Sequence, residues 1–438
     1  MRLPNVISYD ERPDAQDGKL DRIGRKLIGL VTSRGAAGRA RKLRQILRHV
    51  HRHANAFEKM DEAALKARAQ ELRVVLPRQL QKKTLSPADI GPAFALIREV
   101  AFRTLGMRHF DVQILGAYSI LKGQIAEMRT GEGKTLCATL ASATMALAGV
   151  PVHIITVNDY LAERDAELMT PLYNFLGLSV GVILAGQDEA TRRSVYENAI
   201  VHGANKEIAF DYLRDRMILR RVPGNLRRKI ERISGAQTGG GLRMRGLHFA
   251  LIDEADSVLI DEARTPLIIS GAVAPEPGQG AELFVQAMAS AKKLREGPDY
   301  KVVANERRII VTDAGLARLD EMAEASEGAF RVPVIREHAV VQALTAMHLF
   351  HRDEDYIVRD DAVQIVDENT GRVQEDRSWS EGLHQMMELK EGVELSEPRE
   401  TLGRITYQRF FRRYTRVGGM TGTAREAAWE FYSVYGLR

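Results

Sequence analysis

The chain is poor in cysteine: Cys137 is the one thiol in 438 residues. A single thiol excludes an internal disulfide and fits a reducing compartment. The start, MRLPNVISYDERPD, has no apolar core behind a basic cap, so we expect no secretory signal peptide. One uncharged run, residues 135–157, is long enough to span a bilayer. It contains Gly149 and Pro151, which predict a helix end followed by a new strand, so we expect no transmembrane helix.

A strong net charge is also missing, since 63 basic side chains stand against 58 acidic ones. The length and a 45% apolar composition predict a globular protein of two or three domains. Residues 19–52 are different: they hold eleven Lys/Arg and one acid, Asp21. Leu20, Ile23 and Leu27 recur there at helical spacing. This basic amphipathic segment either lies on an anionic membrane surface or packs on its own domain, and both interpretations stay open.

From about Phe110 onwards, apolar runs typical of strands alternate with helical segments. The runs cover residues 152–157, 180–184 and 249–252. Strands separated by helices pair in parallel through crossovers, so we predict a three-layer α/β sheet preceded by N-terminal helices.

The pattern changes after Gly271. A linker-like stretch, APEPGQG, precedes short strand pairs that include residues 308–311, 356–358 and 363–366. This predicts a smaller α+β unit inserted into the first, which resumes near Ile405. A basic, glycine-rich stretch at residues 223–246 predicts a mobile loop.

The segment MRTGEGKT matches the end of the phosphate-loop pattern G-x-x-x-x-G-K-[ST], although Met128 stands where the first glycine belongs. It lies between a predicted short strand and a predicted helix, as a phosphate cradle requires. Gly131 and Gly133 would let backbone N–H groups point at phosphate oxygens. Lys134 would reach the β- and γ-phosphates, and the Thr135 hydroxyl would hold Mg²⁺.

The second motif, LIDEADS, puts two carboxylates at the end of an apolar strand. Asp253 would hold Mg²⁺ and Glu254 would position or deprotonate the attacking water. The alternative is a strand followed by an acidic helix cap. The phosphate loop upstream favours the catalytic interpretation.

Two further motifs are weak by themselves. In GMRHFDVQ, residues 106–113, the Gln113 amide can donate and accept together, as adenine recognition needs, and Phe110 can pack on the base. Thr421, Gly422 and Thr423 follow an apolar approach and are suited to coupling the phosphate site to movement.

These motifs occur in one order with others: MRHFDVQ, AEMRTGEGKT, TVNDYLAERDAE, FDYLRD, DEADSVLIDEARTPLIISG, DEDYIV, IVDENTGR, WSEGLHQ, KEGV and GGMTGTA. Together they resemble the SecA family, the preprotein translocase motor ATPases of the bacterial Sec pathway. The resemblance covers roughly residues 40–438. In this family the phosphate loop has the sequence MRTGEGKT, without the first glycine, which accounts for Met128.

The resemblance implies a RecA-like, P-loop, DEAD-type helicase-like domain 1 made of residues 96–270 and 403–438. An inserted preprotein-crosslinking domain, 271–402, interrupts it, and a helical region, 1–95, precedes it. The implied ATP-binding residues are Met107, Phe110, Gln113, Thr130, Gly131, Glu132, Gly133, Lys134 and Thr135. The implied catalytic residues are Lys134, Asp253 and Glu254, and Tyr356 and Trp379 are candidates for preprotein binding.

The resemblance also implies partners. The motor would use ATP with Mg²⁺ to thread unfolded secretory preproteins through a channel of SecY, SecE and SecG. It would be cytoplasmic and associated peripherally with the cytoplasmic face of the membrane and its anionic surface, with a homodimer as a candidate assembly. No nucleic acid is expected, because residues 351–400 carry 15 acids against 6 bases, and such a surface repels phosphate.

The sequence also departs from the family. Residues 1–35 do not match the usual start, the 223–246 insertion is longer than usual, and His202-Gly203-Ala204-Asn205 replaces Y-G-T-N. The 438 residues stop just past TGTA, before the family's second RecA-like domain, helical scaffold, helical wing and C-terminal zinc tail. We therefore expect no zinc site here, and nucleotide binding with poor turnover, because the second domain supplies arginines to the γ-phosphate.

Two alternatives remain. One is a catalytically idle fragment that binds nucleotide or preprotein. The other is a DEAD-type RNA helicase, which Asp253-Glu254-Ala255-Asp256 and the basic insertion favour. The stretch GRVQEDRSWSEGLHQ argues against the helicase, since RNA helicases have no counterpart to it.

Overall fold

The fold is taken from a computed structural model of the chain. It describes residues 11–12, 41, 43–80, 85–221, 242–272, 280–303, 307–324, 326, 328–366, 373–374, 378–379, 381–396 and 399–437. The predicted basic helix (up to residue 40), most of the 223–246 loop, most of the APEPGQG linker and most of the IVDENTGR motif lie outside these residues. Two compact units are present, one of Met1–Ile269 with Gly403–Arg438 and one of Ser270–Leu402.

The first unit is built on a parallel sheet. Its strands are β1 (Ile125–Glu127), β2 (Val152–Thr156), β3 (Val180–Ile183), β4 (Ile200–Ala204), β5 (Phe249–Ile252) and β13 (Arg416–Thr421). They lie in the order β1-β13-β5-β2-β4-β3, and every adjacent pair is parallel. Most side chains of the central strands are buried on both faces, which explains why such strands appear as continuous apolar runs.

The predicted α/β sheet and the three predicted strands are therefore confirmed. The sequence did not reveal β4, because His202 and Gly203 interrupt its apolar run, IVHGA. β13 was also not recognised as a strand, since two glycines lie in its centre, RVGGMT.

Helices cover both faces of this sheet. They are α1 (Gln45–Glu58), α2 (Glu62–Leu80), α3 (Pro87–Leu105), α4 (Asp111–Leu121), α5 (Lys134–Leu147), α6 (Asp159–Phe175), α7 (Glu189–Tyr196), α8 (Asn205–Arg221), α13 (Tyr407–Phe411) and α14 (Ala428–Glu430). Single π-helical turns follow β5 (Ser257–Asp261) and α14 (Phe431–Tyr435). Neighbouring strand residues such as Ile154 and Ile155 belong to two different apolar cores, because strand side chains alternate between faces.

The apolar run at residues 135–157 supplies α5 and β2. Within the described residues, we find no helix long and apolar enough to cross a bilayer. The suggested boundary between residues 95 and 96 falls inside α3. Buried side chains continue across this position, from Ala93 through Val100, so the N-terminal helices and the RecA-like layers share one helix.

The second unit is a small α+β structure. Its strands are β7 (Tyr300–Val303), β8 (Arg308–Val311), β9 (Tyr356–Arg359), β10 (Ala362–Val366) and β11 (Val373–Gln374). Its helices are α9 (Ala281–Ala291), α10 (Asp313–Glu324), α11 (Pro333–His348) and α12 (Leu383–Glu391), with a 3-10 turn at Gly328–Arg331. β7 pairs with β8 and β9 with β10, both antiparallel, which confirms the predicted strand pairs. The chain leaves the first unit along β6 (Pro266–Ala272) and returns along β12 (Arg399–Thr406), and these two strands form their own sheet.

Candidate functional site

The loop between β1 and α5 has the backbone of an anion cradle. Gly131 has a φ of 88° and Gly133 a φ of 77°, values that side-chain-bearing residues rarely adopt. Gly133 is the N-cap of α5, whose first residue is Lys134. The unpaired N–H groups and partial positive charge of a helix N-terminus favour an anion at this position.

Met128 shows why this loop does not need its first glycine. Its N–H donates to the Thr421 carbonyl oxygen at 2.9 Å, which extends the pairing of β1 with β13 by one residue. Its φ is not positive, and its side chain is buried in the apolar core. The backbone thus stays extended here and turns only afterwards, where the loop residue Glu132 accepts a hydrogen bond from the Arg129 N–H at 2.8 Å.

The second motif lies at the end of β5, next to this loop. The Asp253 N–H continues the pairing with β2 by donating to the Ile155 carbonyl oxygen at 2.8 Å. Asp253 Oδ1 accepts from the Glu254 N–H at 3.0 Å. Glu254 has a φ of 50°, a left-handed conformation that costs about 1–2 kcal/mol for a residue with a Cβ. Such strain often marks functional sites, where it aims a side chain.

Lys134 joins the two motifs. Its ammonium donates to Glu254 Oε1 and lies 3.9 Å from Asp253 Oδ1. Burial raises the pKa of Asp253, and the nearby Lys134 opposes part of this shift. Across the described residues, Lys134 is the one cation within ion-pair distance of either carboxylate. Lys134 therefore brings the phosphate loop and the two carboxylates together in one partly buried site.

The predicted adenine-recognition residues surround the start of α4. Gln113 Oε1 accepts from the Phe110 N–H at 3.0 Å, and Gln113 Nε2 donates to the Glu132 carbonyl oxygen at 2.9 Å. Nε2 also donates to the Gly133 carbonyl oxygen at 3.4 Å, so Gln113 ties this helix to the phosphate loop through two carbonyl oxygens, while Oε1 retains one lone pair. The Phe110 and Met107 side chains are exposed, by 72% and 42%, and are free to contact a flat ligand.

Thr421, Gly422 and Thr423 lie between the two motifs. Besides the contact of Thr421 with Met128, a Cβ added at Gly422 would lie 3.8 Å from the Met128 carbonyl oxygen. Thr423 Oγ1 donates to Asp256 Oδ2 on the other side. The segment therefore contacts both the phosphate loop and the acidic motif, as a coupling role requires.

Two charged residues of α6, which sequence reasoning did not select, also lie near this site. Asp165 is buried and accepts from Arg164 Nε and Nη2 at 3.0 and 2.7 Å. The Asp165 charge helps to raise the pKa of Asp253, after burial and the Glu254 charge. Asp165 also lines one small cavity with Thr135, His202 and Asp253. Their only sequence signal was the motif TVNDYLAERDAE.

In the second unit, the two preprotein-binding candidates differ in exposure. Tyr356 is fully buried, and its hydroxyl donates to Glu391 Oε1 at 2.6 Å. Its side chain is therefore part of the core of this unit, and the sequence-based expectation that it contacts a ligand needs correction. Trp379 is half-buried, with its ring 5.1 Å from that of Phe350 and 6.1 Å from that of Tyr356.

A parallel sheet with a phosphate loop after one strand and an Asp-Glu pair after another defines a RecA-like domain of the DEAD type. The family model described as "SecA DEAD-like domain" matches residues 29–432. The chain therefore belongs to the SecA family, and the resemblance seen in the motifs is confirmed.

Curated relatives agree with this assignment. "Protein translocase subunit SecA 2" of Nitrosospira multiformis is 45% identical over 98% of this chain and 64% of its own length. The protein of the same name from Bordetella avium is 48% identical over 90% of this chain and 59% of its own. "Protein translocase subunit SecA" of Rubrobacter xylanophilus is 44% identical over 93% and 43%. The chain thus spans about two fifths to two thirds of these relatives.

Among solved structures, a hypothetical ATP-dependent RNA helicase from Sulfolobus tokodaii matches 38% of this chain and 44% of its own. The identity is 18% and the TM-score 0.25, a similarity too low to carry a conclusion.

Proposed function

We propose that these 438 residues bind Mg·ATP and form the nucleotide-binding part of an ATPase motor that moves unfolded preproteins across a membrane. The observation that carries the proposal is the contact of Lys134 with Asp253 and Glu254, which lie 119 and 120 residues further along the chain. This contact joins the phosphate loop to the acidic motif. The relatives are named protein translocase subunits, and these names support protein translocation as the process that the ATPase drives.

The residues of this site fit Mg·ATP. The positive φ at Gly131 and Gly133 opens the loop for phosphate oxygens, and Lys134 exchanges its carboxylate partners for the β- and γ-phosphates. Thr135 and Asp253 hold the metal. Bound there, Mg²⁺ would neutralise negative charge on the phosphates.

Glu254 is the base that orients and deprotonates the attacking water. Binding of the phosphates to Lys134 releases the Glu254 carboxylate from its ion pair. Glu254 is then basic and free to accept a proton. The Gln113 amide binds the adenine edge after Nε2 exchanges a phosphate-loop carbonyl oxygen for the base, with Phe110 and Met107 on the face of the base.

We also propose that turnover by these residues alone is slow. Lys134 is the only described cation at the carboxylates, and an arginine at the γ-phosphate is worth about 10³–10⁵ in rate. In the assembled motor, a further domain supplies such an arginine. The partners are the SecY/SecE/SecG channel, unfolded preproteins and, through residues 19–52, the anionic cytoplasmic face of the membrane.

Titration with a fluorescent ATP analogue tests the nucleotide site. Lys134→Ala should abolish Mg²⁺-dependent binding without unfolding the protein. Lys206→Ala, an exposed lysine at the start of α8, is the matched control and should bind like the unsubstituted protein. Equal affinity of both variants would overturn the assignment. A purely idle fragment would bind but stay inactive even when the remaining domains of a SecA relative are added.

A further inference from the structure

His202 lies on the same face of the sheet as the metal-binding carboxylate. In the register, His202 of β4 pairs with Ile154 of β2, and Ile154 pairs with Leu251 of β5. Ile154 and Leu251 belong to the core under α5 and α6, so the His202 side chain points to that side. Asp253 is two residues beyond Leu251, which brings it to this face as well.

The His202 ring is 2% exposed, and neither ring nitrogen has a hydrogen-bond partner within the described residues. Burial lowers the pKa of His202 to about 3, so the ring is neutral, with one N–H donor and one acceptor nitrogen. Buried polar atoms in native proteins are nearly always hydrogen-bonded to protein or to ordered water. His202 therefore calls for a partner that is not a protein atom.

A small cavity lies beside this ring. Its polar lining consists of His202, Thr135, Asp165 and Asp253, and the rest is mainly apolar. The cavity offers about 10 Å³ to the centre of a water molecule, close to the least volume that holds one water. A water in such a place also needs two to four polar partners, and this lining supplies them.

The carboxylates leave an oxygen available for this water. Asp165 accepts its two hydrogen bonds from Arg164 at Oδ1, and Asp253 accepts from the Glu254 N–H at Oδ1. The Oδ2 atoms remain for further donors. Water, which both accepts from a ring N–H and donates to carboxylates, matches this set.

We propose that this cavity holds one ordered water, bound by His202 and shared with the carboxylates of Asp165 and Asp253. Through this water His202 is a positioning residue that aims Asp253 at Mg²⁺. The role in metal binding rests on the proposed function, whereas the water itself does not. Partners behind a metal ligand commonly contribute about 10- to 100-fold to metal affinity.

The test measures the affinity of the 438-residue protein for a fluorescent ATP analogue, with Mg²⁺ and with EDTA. His202→Phe keeps a ring but removes both nitrogens, so Mg²⁺ should strengthen its binding roughly 10-fold less than that of the unsubstituted protein. Affinity in EDTA should not change. His202→Gln keeps a donor and an acceptor and should recover most of the Mg²⁺ effect.

His248→Phe, at a half-buried histidine just before β5, is the control and should leave both affinities unchanged. An undiminished Mg²⁺ effect in His202→Phe would overturn the positioning role. If the unsubstituted protein bound no nucleotide under either condition, the proposed function would fail instead.

A high-resolution crystal structure of the unsubstituted protein tests the water without any variant. Density for one water within hydrogen-bond distance of His202 and a carboxylate is expected. An empty cavity would refute the inference, even if His202→Phe did not fold.

Discussion

Thr423 Oγ1 donates a hydrogen bond to Asp256 Oδ2, across 167 residues of sequence. Burial by itself raises the pKa of Asp256, but hydrogen bonds from Thr423 and Thr421 outweigh it and lower the pKa below its ordinary value. Because the Thr421 carbonyl oxygen also accepts from the Met128 N–H, one short segment contacts both nucleotide motifs. We therefore expect a change in phosphate occupancy to reach the acidic motif through this segment.

Thr423→Val should leave nucleotide binding intact but weaken the coupling between the nucleotide site and preprotein. Valine keeps the shape of threonine but cannot donate to Asp256, and a lost hydrogen bond to a charged group costs about 1.5–3 kcal/mol at most. We expect ATP affinity close to that of the unsubstituted protein, and a smaller stimulation of hydrolysis by preprotein in the assembled motor. Thr415→Val is the control. Full stimulation in Thr423→Val would show that coupling takes another route.

Glu254→Gln should retain ATP affinity and lose hydrolysis. The amide keeps the shape of the side chain but is not a base, and a positioned base contributes about 10²–10⁴ in rate. Affinity should even rise slightly, because Lys134 loses an ionised competitor of the phosphates. Single-turnover hydrolysis in the assembled motor is the measurement. Hydrolysis at the unsubstituted rate would assign the role to another group.

The sequence predicted those parts of the site that lie within one contiguous motif. Lys134 and Asp253 were identified because a phosphate loop and an acidic strand end need their residue types at fixed spacing. The cavity with His202 and Asp165 was not predictable, since the packing of four strands (β2, β4, β5 and β13) and two helices (α5 and α6) assembles it from six separate segments.

Exposure was also not predictable from sequence. Tyr356 begins the short strand β9, where its ring could either contact a ligand or pack in the core, and its hydroxyl is hydrogen-bonded inside the unit to Glu391. An aromatic ring on a short strand fits both situations equally well, and only the packing distinguishes them.

Arg192→Met should destabilise the first unit strongly. Arg192 is buried and donates to Asp211 Oδ2 at 2.9 Å and to Glu207 Oε2 at 2.5 Å. Without Arg192, Glu207 loses its partner among the described cations, whereas Asp211 keeps Arg214 at 3.2 Å and the Tyr196 hydroxyl at 3.0 Å. Breaking a buried ion pair costs about 3–5 kcal/mol, and these remaining contacts of Asp211 place the expected loss at the lower end. Urea unfolding measures the effect.

The neighbouring Arg193→Met is the matched control. Arg193 makes an exposed helical ion pair with Glu189 at 3.2 Å, worth about 0.3–0.5 kcal/mol. Equal losses of stability in the two variants would contradict the prediction that the buried ion pairs of Arg192 contribute more to stability than the exposed pair of Arg193.

The free energy of unfolding should fall as the pH is lowered from 6.5 towards 5. Burial lowers the pKa of His109 to about 4 and that of His153 to about 3. In this window the unfolded chain binds the additional protons, so stability rises with pH, by about 1.4 kcal/mol per pH unit for each such histidine.

His109→Gln should reduce the dependence of the unfolding free energy on pH by the contribution of one histidine, about 1.4 kcal/mol per pH unit. Urea unfolding at several pH values across the window measures it. An identical slope in His109→Gln would mean that His109 is accessible to protons in the folded protein.

The inserted unit should bind unfolded polypeptide and not RNA. Within its described part, β9 is an edge strand of the sheet β11-β10-β9. An extended chain can add to such an edge through main-chain hydrogen bonds with little regard for sequence, which suits an arbitrary preprotein. The acidic excess of residues 351–400 repels phosphate, whose neutralisation dominates nucleic-acid affinity. A photo-crosslinker at Arg359, exposed on β9, or at the half-buried Trp379 should therefore capture a stalled unfolded preprotein. The same crosslinker at Glu321, exposed on α10, is the control and should capture much less.

Equal capture at all three positions would indicate nonspecific contact. Crosslinking to RNA at moderate salt would contradict the translocation role itself.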